Sequence, residues 1–417
     1  MLTVCVRTLG CKVNRAESEG VAASLVGRGV NLVDEEDASV VIVNTCTVTG
    51  QADKKARKAV RHALSSRQMP VVVVTGCLAA LDAEGLEALG DRVVVEADRE
   101  QVALRVAAIL GAPDSAVRPI QRSGEGFRVR AAVKVEDGCD SFCAYCIVPF
   151  ARGAPRSVGL DEVLDEVARL SASGTPEVVL TGINIGKYDS DGVGLPGLIE
   201  AVAATGVRRV RISSIEPLDI TSELLAVLAT NPQVCPHLHV PLQSGSDAVL
   251  DAMGRGYGAA EYVAKIEAAR DAIPDVAITT DVMVGFPGET DRDHEATCSL
   301  VAEVRFSRLH VFRYSRRAST RAASMPLQVP PSVSARRAAQ LRAEDVRLRS
   351  AGAAARLGQE AEVLVEEITS GADEATATGT TGDYLRVRLD ATGLSPGNLV
   401  RVRLGHETSG VLFAERV

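Results

Sequence analysis

Short apolar runs alternate with amphipathic stretches through the N-terminal part of the chain. The runs are Leu2–Leu9, Val40–Val43 and Val71–Val74, and helix-like segments lie near Glu17–Gly27 and Gln51–Ser65. Strand–helix–strand repetition of this kind predicts a parallel sheet in an open α/β domain over residues 1–112. The polar, turn-rich stretch Gly111–Phe127 (GAPDSAVRP, then RSGEG) reads as a linker. Over residues 128–355 the pattern repeats, with strands expected at Ala131–Val135, Val178–Leu180, Val210–Ile212, Leu238–Pro241, Ala277–Asp281 and Arg308–Phe312. Six strands with helices between them predict a partial parallel (β/α)6 barrel, short of the eight that close one. An Arg-rich helix is expected over 335–356. From Glu360 the period changes to two in EAEVLVEEI, DYLRVRLD and NLVRVRL. That predicts a small antiparallel β-barrel of about five strands over 356–417. The fold class is therefore α/β with an added β-barrel.

Charge modifies this picture. Lys and Arg number 46, Asp and Glu 54, and the net charge is −8, which argues against nonspecific coating of nucleic acid. The charge is uneven, however. From Arg305 to Arg356 there are twelve arginines against Glu344 and Asp345, so this strip carries +10 and the rest −18. A second patch, KKARKAVRH, covers Lys54–His62. Candidate phosphate contacts are Lys54, Lys55, Arg57, Lys58, Arg61, Arg316 and Arg317. Either patch could also be a solvated helix face. Aromatics are only 3%, and Tyr384 and Phe413 are those of the C-terminal domain, so it is expected to grip backbone rather than stack bases. No run approaches the ~18–20 apolar residues of a membrane span. MLTVCVRTLG lacks the basic and apolar regions of a signal peptide, so a cytoplasmic protein with no membrane partner is expected.

Nine cysteines in such a chain point to metal binding or catalysis more than to disulfides. Cys139, Cys143 and Cys146 form a C-x3-C-x2-C set directly after the strand Ala131–Val135. In parallel barrels, loops at strand C-termini carry the chemistry. Three thiolates can bind three irons of a cubane and leave the fourth open to a small chelating molecule. A zinc site is the competing reading, but it usually needs paired C-x2-C units or histidines, and this loop has neither.

Cys11, Cys46 and Cys77 look unrelated in sequence. Yet each follows an apolar strand: TLGCKVN after Leu2–Leu9, VNTCTVT after Val40–Val43, TGC after Val71–Val74. That is the edge where open α/β sheets build sites. Adjacent strand tops lie roughly 5–10 Å apart, so the three thiols can converge on a second cluster. The alternative is three buried small hydrophobes. Cys5, Cys235 and Cys298 read as packing residues. His237 and His239 share a strand face and read as core or hydrogen-bonding groups. GRGYG and GFPGET lack the ending of a phosphate loop.

The central spacing, with Tyr145 before the last Cys, resembles the radical S-adenosylmethionine superfamily. Both trios together resemble its methylthiotransferases over essentially the whole chain. Further matching segments are RGAPRS, LTGINIG, SSIEP, HVPLQSGSD, TTDVMVGFPGET and HVFRYSRR. The resemblance implies a radical barrel, a C-terminal TRAM domain and two [4Fe–4S] clusters, an auxiliary one on Cys11, Cys46 and Cys77 and a catalytic one on Cys139, Cys143 and Cys146. It implies that one S-adenosylmethionine donates a methyl to sulfur and another yields a 5′-deoxyadenosyl radical. Asn184, Ser214, Gln243 and Asp281, each expected at or after a strand end, are the residues expected to touch S-adenosylmethionine.

Members of the family divide by substrate, namely isopentenyladenosine in tRNA, a ribosomal-protein side chain, or N6-threonylcarbamoyladenosine in tRNA. TLGCKVN, VKVEDGCDSFCAYCIVPFARG and FRYSRR resemble the third, MtaB-type branch. The implied partners are the tRNA anticodon stem-loop and an electron donor such as flavodoxin or ferredoxin. The rival of another class is a noncatalytic iron–sulfur protein that binds RNA or senses redox state.

Overall fold

The computed structural model describes residues 2–113, 129–370 and 375–417. Residues 114–127 of the expected linker lie outside the described residues. The N-terminal domain is a five-stranded, all-parallel sheet of β1 (Thr3–Thr8), β2 (Asn31–Leu32), β3 (Val40–Thr45), β4 (Val71–Gly76) and β5 (Val93–Val95), ordered β2-β1-β3-β4-β5. Every position of β3 is buried, which is why VVIVNT reads as a continuous apolar run rather than an alternating one. One face packs Val4, Val40 and Ile42 against Leu25, Val102 and Val106 of the helices Lys12–Gly27 and Val102–Leu110. The other packs Val41, Val43, Val72 and Val74 against Ala56, Ala59, Val60 and Ala63 of the helix Gly50–Leu64. Burying each valine side chain contributes about 1.5–3 kcal/mol.

The central domain begins with β6 (Arg130–Lys134). A short antiparallel pair follows, β7 (Glu136–Asp137) with β8 (Arg156–Ser157). Next come β9 (Glu177–Thr181), the small hairpin β10 (Asp189–Ser190) and β11 (Val193–Gly194), β12 (Arg209–Ile212), β13 (His237–His239), β14 (Ala277–Val284) and β15 (Arg308–Arg313). β6, β9 and β12 form one parallel sheet, and β13, β14 and β15 another. Backbone bonds from Cys235 N to Val210 O (2.8 Å) and from Ile215 N to His239 O (2.9 Å) join them into one six-stranded curve. Among the described residues β6 and β15 are not paired, so the barrel is open. The N-terminal helix Lys12–Gly27 lies along β6. The Arg-rich helix spans Pro331–Ala354 and packs on β15, where Asp345 accepts from Leu309 N at 2.8 Å.

The C-terminal domain is a closed barrel, β16 (Glu360–Ser370), β17 (Ala375–Thr381), β18 (Arg386–Asp390), β19 (Leu399–Thr408) and β20 (Val411–Arg416), ordered β16-β17-β18-β20-β19. Four pairings are antiparallel, but β18 and β20 pair in parallel. The expected small antiparallel barrel of about five strands is present, and its one parallel pairing has a geometric reason: strand direction cannot alternate all round a ring with an odd number of members. Its β17–β18 turn presses on the start of the central barrel. Arg211 Nη1 donates to Gly382 O at 2.9 Å, and the Tyr384 ring stacks on His237 at 4.6 Å. Phe413 stacks on His406 at 4.3 Å, so both aromatics of this domain are already engaged. Among the described residues no helix is long and apolar enough to cross a membrane.

Candidate active site

Strand register brings the N-terminal cysteines level. Thr8 of β1 faces Asn44 of β3, and Thr45 of β3 faces Gly76 of β4. Cys11, Cys46 and Cys77 follow these ends within three residues, at one edge of the sheet. Gly10 has φ +110°, and a Cβ there would come within 2.6 Å of the Cys46 Cβ. Only glycine lets these two loops meet. The thiols feel one another. Burial pushes Cys46 up to about 11, and Cys77 and Cys11 add to the rise against a backbone hydrogen bond at Val48. Cys11 is raised as well, chiefly by burial.

The central trio sits on a clamped loop. Gly138, at φ +93°, passes so close to the Ala154 carbonyl that no side chain fits. Cys139 N donates to Gly153 O at 3.0 Å, and Cys146 N to Cys143 O at 2.9 Å. Ala144 is held from two sides, by Met253 O at 2.7 Å and Ala322 N at 2.8 Å. Burial pushes Cys146 up to about 12, with Cys143 and Cys139 contributing. Arg255 Nη1 donates to Cys143 Sγ at 3.3 Å while Nη2 pairs with Glu216.

Among the described residues each set offers three thiols and no fourth. Among the described residues no three His, Cys, Asp or Glu side chains are placed to hold a single metal ion. A cubane binds each thiolate at a different iron and asks for wider spacing than one ion does. Three thiols in a set match the ligand count of a cubane that leaves one iron open. Cys46 and Cys146 are protonated in the free protein at neutral pH, so loading would release protons.

The two Cys loops meet at a polar junction. The helix Cys77–Leu81 packs on Val148–Arg152, the helix that follows the central trio. Arg99 Nη2 donates to Ala151 O at 3.2 Å and approaches Cys77 Sγ at 3.9 Å. The fully buried Arg152 side chain reaches Asp137 (2.6 Å), Glu17 (2.9 Å) and Asn14 Oδ1 (2.9 Å). Asn14 in turn donates to Thr45 O at 2.8 Å and Asn44 Oδ1 at 2.9 Å. Burial opposes the Arg152 charge, but Cys77, Glu17 and Asp137 more than offset it. None of this clamp was foreseen in the sequence.

At the barrel top, Asn184 and Ser214 lie just past β9 and β12, as expected. Gln243 lies past β13 at φ +65°, extending the ladder through Gln243 N to Asp281 O at 2.9 Å. Asp281 differs from expectation. β14 runs on to Val284, so Asp281 is in mid-strand, and it pairs with His239 Nε2 at 3.2 Å. Asn184 Oδ1, Ser213 Oγ and Glu136 Oε1 are buried without a partner among the described residues. Three orphaned polar atoms at the tops of neighbouring strands fit the polar end of S-adenosylmethionine. Glu136 is pushed up to about 7, mainly by burial, although Asn184 N donates to its Oε2 at 2.7 Å. Sequence reasoning missed Glu136 and Ser213. The signals were their places immediately beyond β6 and β12.

The barrel lumen is polar. Thr279 Oγ1 bonds His237 Nε2 at 3.0 Å and His239 Nδ1 at 2.9 Å, which is the hydrogen-bonding role expected of that pair. Lys12 and Cys11 keep accessible surface although protein crowds both closely. Both are exposed. Around Lys12 stand Tyr384, Arg211, Arg130 and Asp281.

The basic patches divide. Lys54, Lys55, Lys58 and Arg61 are exposed on the helix Gly50–Leu64, and Arg316 is exposed after β15. Arg57 is turned to Asp82 and donates to Gly85 O at 2.8 Å. Arg317 is committed to Asp53 (2.8 Å) and Thr47 (2.6 Å), tying the segment after β15 to the Cys46 loop. Much of the Arg strip finds acids elsewhere, as Arg337 does with Glu289 at 2.7 Å and Arg356 with Asp383.

Two family models match. Residues 133–301 match the Radical SAM superfamily, and residues 3–96 match the uncharacterized protein family UPF0004. The threonylcarbamoyladenosine tRNA methylthiotransferase MtaB of Thermotoga maritima is 37% identical over 90% of this chain and 90% of its own. A tRNA-2-methylthio-N(6)-dimethylallyladenosine synthase of Acidothermus cellulolyticus is 36% identical over 100% of this chain and 88% of its own. Among solved structures, the radical S-adenosylmethionine methyltransferase TsrM of Kitasatospora setae superposes with a TM-score of 0.57 at 14% identity, covering 77% of this chain and 74% of that one. That likeness concerns the fold alone.

Proposed function

The chain belongs to the radical S-adenosylmethionine methylthiotransferases, and on that premise we propose that it adds a methylthio group at C2 of N6-threonylcarbamoyladenosine beside the tRNA anticodon. The observation that carries the reading is the junction of two three-thiol loops, one from each domain, at the open side of one barrel. For the substrate, identities to relatives of two named specificities lie too close together to choose. Support comes instead from the stretch TLGCKVN around Cys11.

A [4Fe–4S] cluster with one open iron, when bound, would supply the electron that cleaves S-adenosylmethionine. Cys139, Cys143 and Cys146 would hold it, and Arg255 would steady the charge on Cys143. Cys11, Cys46 and Cys77 would hold a second. Glu136, Asn184 and Ser213 offer polar atoms to the amino-acid end of S-adenosylmethionine, with Ser214 and Gln243 beside them. Asp281 orients His239 within the lumen. Arg152, Asn14 and Glu17 keep the two loops in register and water out of the junction. Lys54, Lys55, Lys58, Arg61 and Arg316, all exposed, would contact phosphates of the anticodon stem-loop. The electron donor is a small one-electron carrier such as flavodoxin or ferredoxin.

The test is nucleoside mass spectrometry after anaerobic incubation of the reconstituted enzyme with S-adenosylmethionine, a reductant and two stem-loops. The threonylcarbamoyl stem-loop gains the mass of a methylthio group in place of hydrogen. Modification of only the dimethylallyl stem-loop would reassign the substrate. Absence of 5′-deoxyadenosine would overturn the reaction class.

A further inference from the structure

Phe142 stands inside the central Cys loop, between Cys139 and Cys143, and it is 60% exposed. Phe150, on the helix Val148–Arg152 that follows the trio, is 49% exposed, and the two rings meet edge to face at 5.9 Å. An aromatic pair left in water forgoes the gain of burial. The backbone adds a second cost. Phe142 has φ +43°, a left-handed conformation that a bulky side chain rarely adopts. The loop is pinned on both sides of it, by Cys139 N donating to Gly153 O at 3.0 Å and Ala144 N donating to Met253 O at 2.7 Å, so the strain is imposed. Strain of this kind persists where the surroundings over-determine it, and it clusters at ligand contacts. The fold thus holds a ring outward beside the thiols instead of burying it.

The surroundings indicate the partner. From Cys139 to Phe150 the chain has one acid, Asp140, and no Lys or Arg. This stretch has no cation for a phosphate, and what it offers is a ring face. Cations stand on the segment after β15, which bridges the two Cys loops. Ser315 Oγ accepts from Gly50 N at 2.9 Å, just past Cys46, and Ala322 N donates to Ala144 O at 2.8 Å within the central loop. Between those anchors Arg316 and Arg321 are exposed. Aromatic faces near guanidinium groups suit single-stranded RNA, whose bases stack on rings while its backbone meets cations. We propose that Phe142 and Phe150 form a stacking platform for an unpaired base of the anticodon loop, next to the base being modified. The inference rests on the tRNA reading above. A base that enters the barrel must leave its stack, so its neighbour loses a stacking partner, and the exposed ring replaces it.

The test uses the full-length enzyme reconstituted anaerobically with iron and sulfide. The probes are two anticodon stem-loops, one with a threonylcarbamoyl and one with a dimethylallyl group on N6. Phe142→Leu keeps an apolar side chain and removes the ring face. It should raise the dissociation constant of both stem-loops by about 5- to 50-fold, the worth of one stacked base. Phe142→Tyr should bind as wild type does. The slope of log affinity against log salt should stay the same in both variants, because stacking releases no counter-ions. Unchanged affinity in Phe142→Leu would overturn the proposal, and so would a flatter salt slope. Slower 5′-deoxyadenosine formation with flavodoxin but not with dithionite, at unchanged stem-loop affinity, would overturn it too and give the pair to the electron donor. Iron content reports whether the Cys loop survives the change. If Phe142→Leu loses iron, Phe150→Leu decides, since it lies outside the Cys loop: weaker stem-loop binding at full iron supports the platform, and wild-type binding overturns it. Wild type that binds neither stem-loop would sink the tRNA reading itself, and the inference with it.

Discussion

Glu136 spends its folded life in an unusual ionisation state. Burial raises its carboxyl to about 7 although two backbone N–H groups, at Asn184 and Ile183, pull the other way. The folded protein thus binds a proton that the unfolded chain releases near 4.5. For a group shifted upward in the folded state, stability is lost as pH rises through the window between the two values. The stability of the cluster-free protein should therefore fall from about pH 5 to about pH 7 by as much as roughly 3 kcal/mol relative to Glu136→Gln, and then level off. Parallel denaturation midpoints for the two proteins across that window would contradict this. A second residue-level expectation concerns Gly10. Ala at φ +110° is strained and its methyl group meets Cys46. Gly10→Ala should cost about 1–3 kcal/mol and selectively reduce iron held by the N-terminal set. Unchanged denaturation and iron content would count against the close approach. The gathering of Cys11, Cys46 and Cys77 at one sheet edge was legible because thiols at strand ends form a visible pattern.

Among the elements, the six barrel strands were legible from their Val- and Ile-rich runs. β2 and β5 were not, since runs of two and three residues carry no usable period. Asp281 was misplaced because β14 continues through the polar position that seemed to end it. The junction between the Cys loops was invisible for another reason. Arg152 finds Glu17 and Asn14 at separations of 135 and 138 residues, and only the folded chain brings them together. Removing this guanidinium would leave Glu17 and Asp137 buried without their main partner. Arg152→Ala should therefore cost about 3–5 kcal/mol and loosen both Cys loops together. The check is denaturant unfolding with iron retention read on each Cys-trio background. Loss confined to one set would show that the junction does not couple them.

For the molecule as a whole, counting charge along the chain misjudged the Arg strip, because its acids come from outside it. Glu289, Asp291, Asp383 and Asp53 neutralise arginines that sequence left unpaired. The exposed helix Gly50–Leu64 keeps its cations, and Lys54, Lys58 and Arg61 fall on successive turns. Changing these three to Gln should lower the slope of log affinity for tRNA against log salt by about 2. Arg317→Ala should instead lower thermal stability and leave that slope alone, since its guanidinium serves Asp53 and Thr47. Binding curves at several salt concentrations separate the two. The central claim is that each domain contributes a three-thiol set and that each set carries its own cluster. Iron per chain after anaerobic reconstitution tests it most directly. Wild type should hold about eight irons, and Ala at Cys11, Cys46 and Cys77, or at Cys139, Cys143 and Cys146, should each leave about four. Wild type saturating at about four irons, or either triple variant losing all of them, would contradict it.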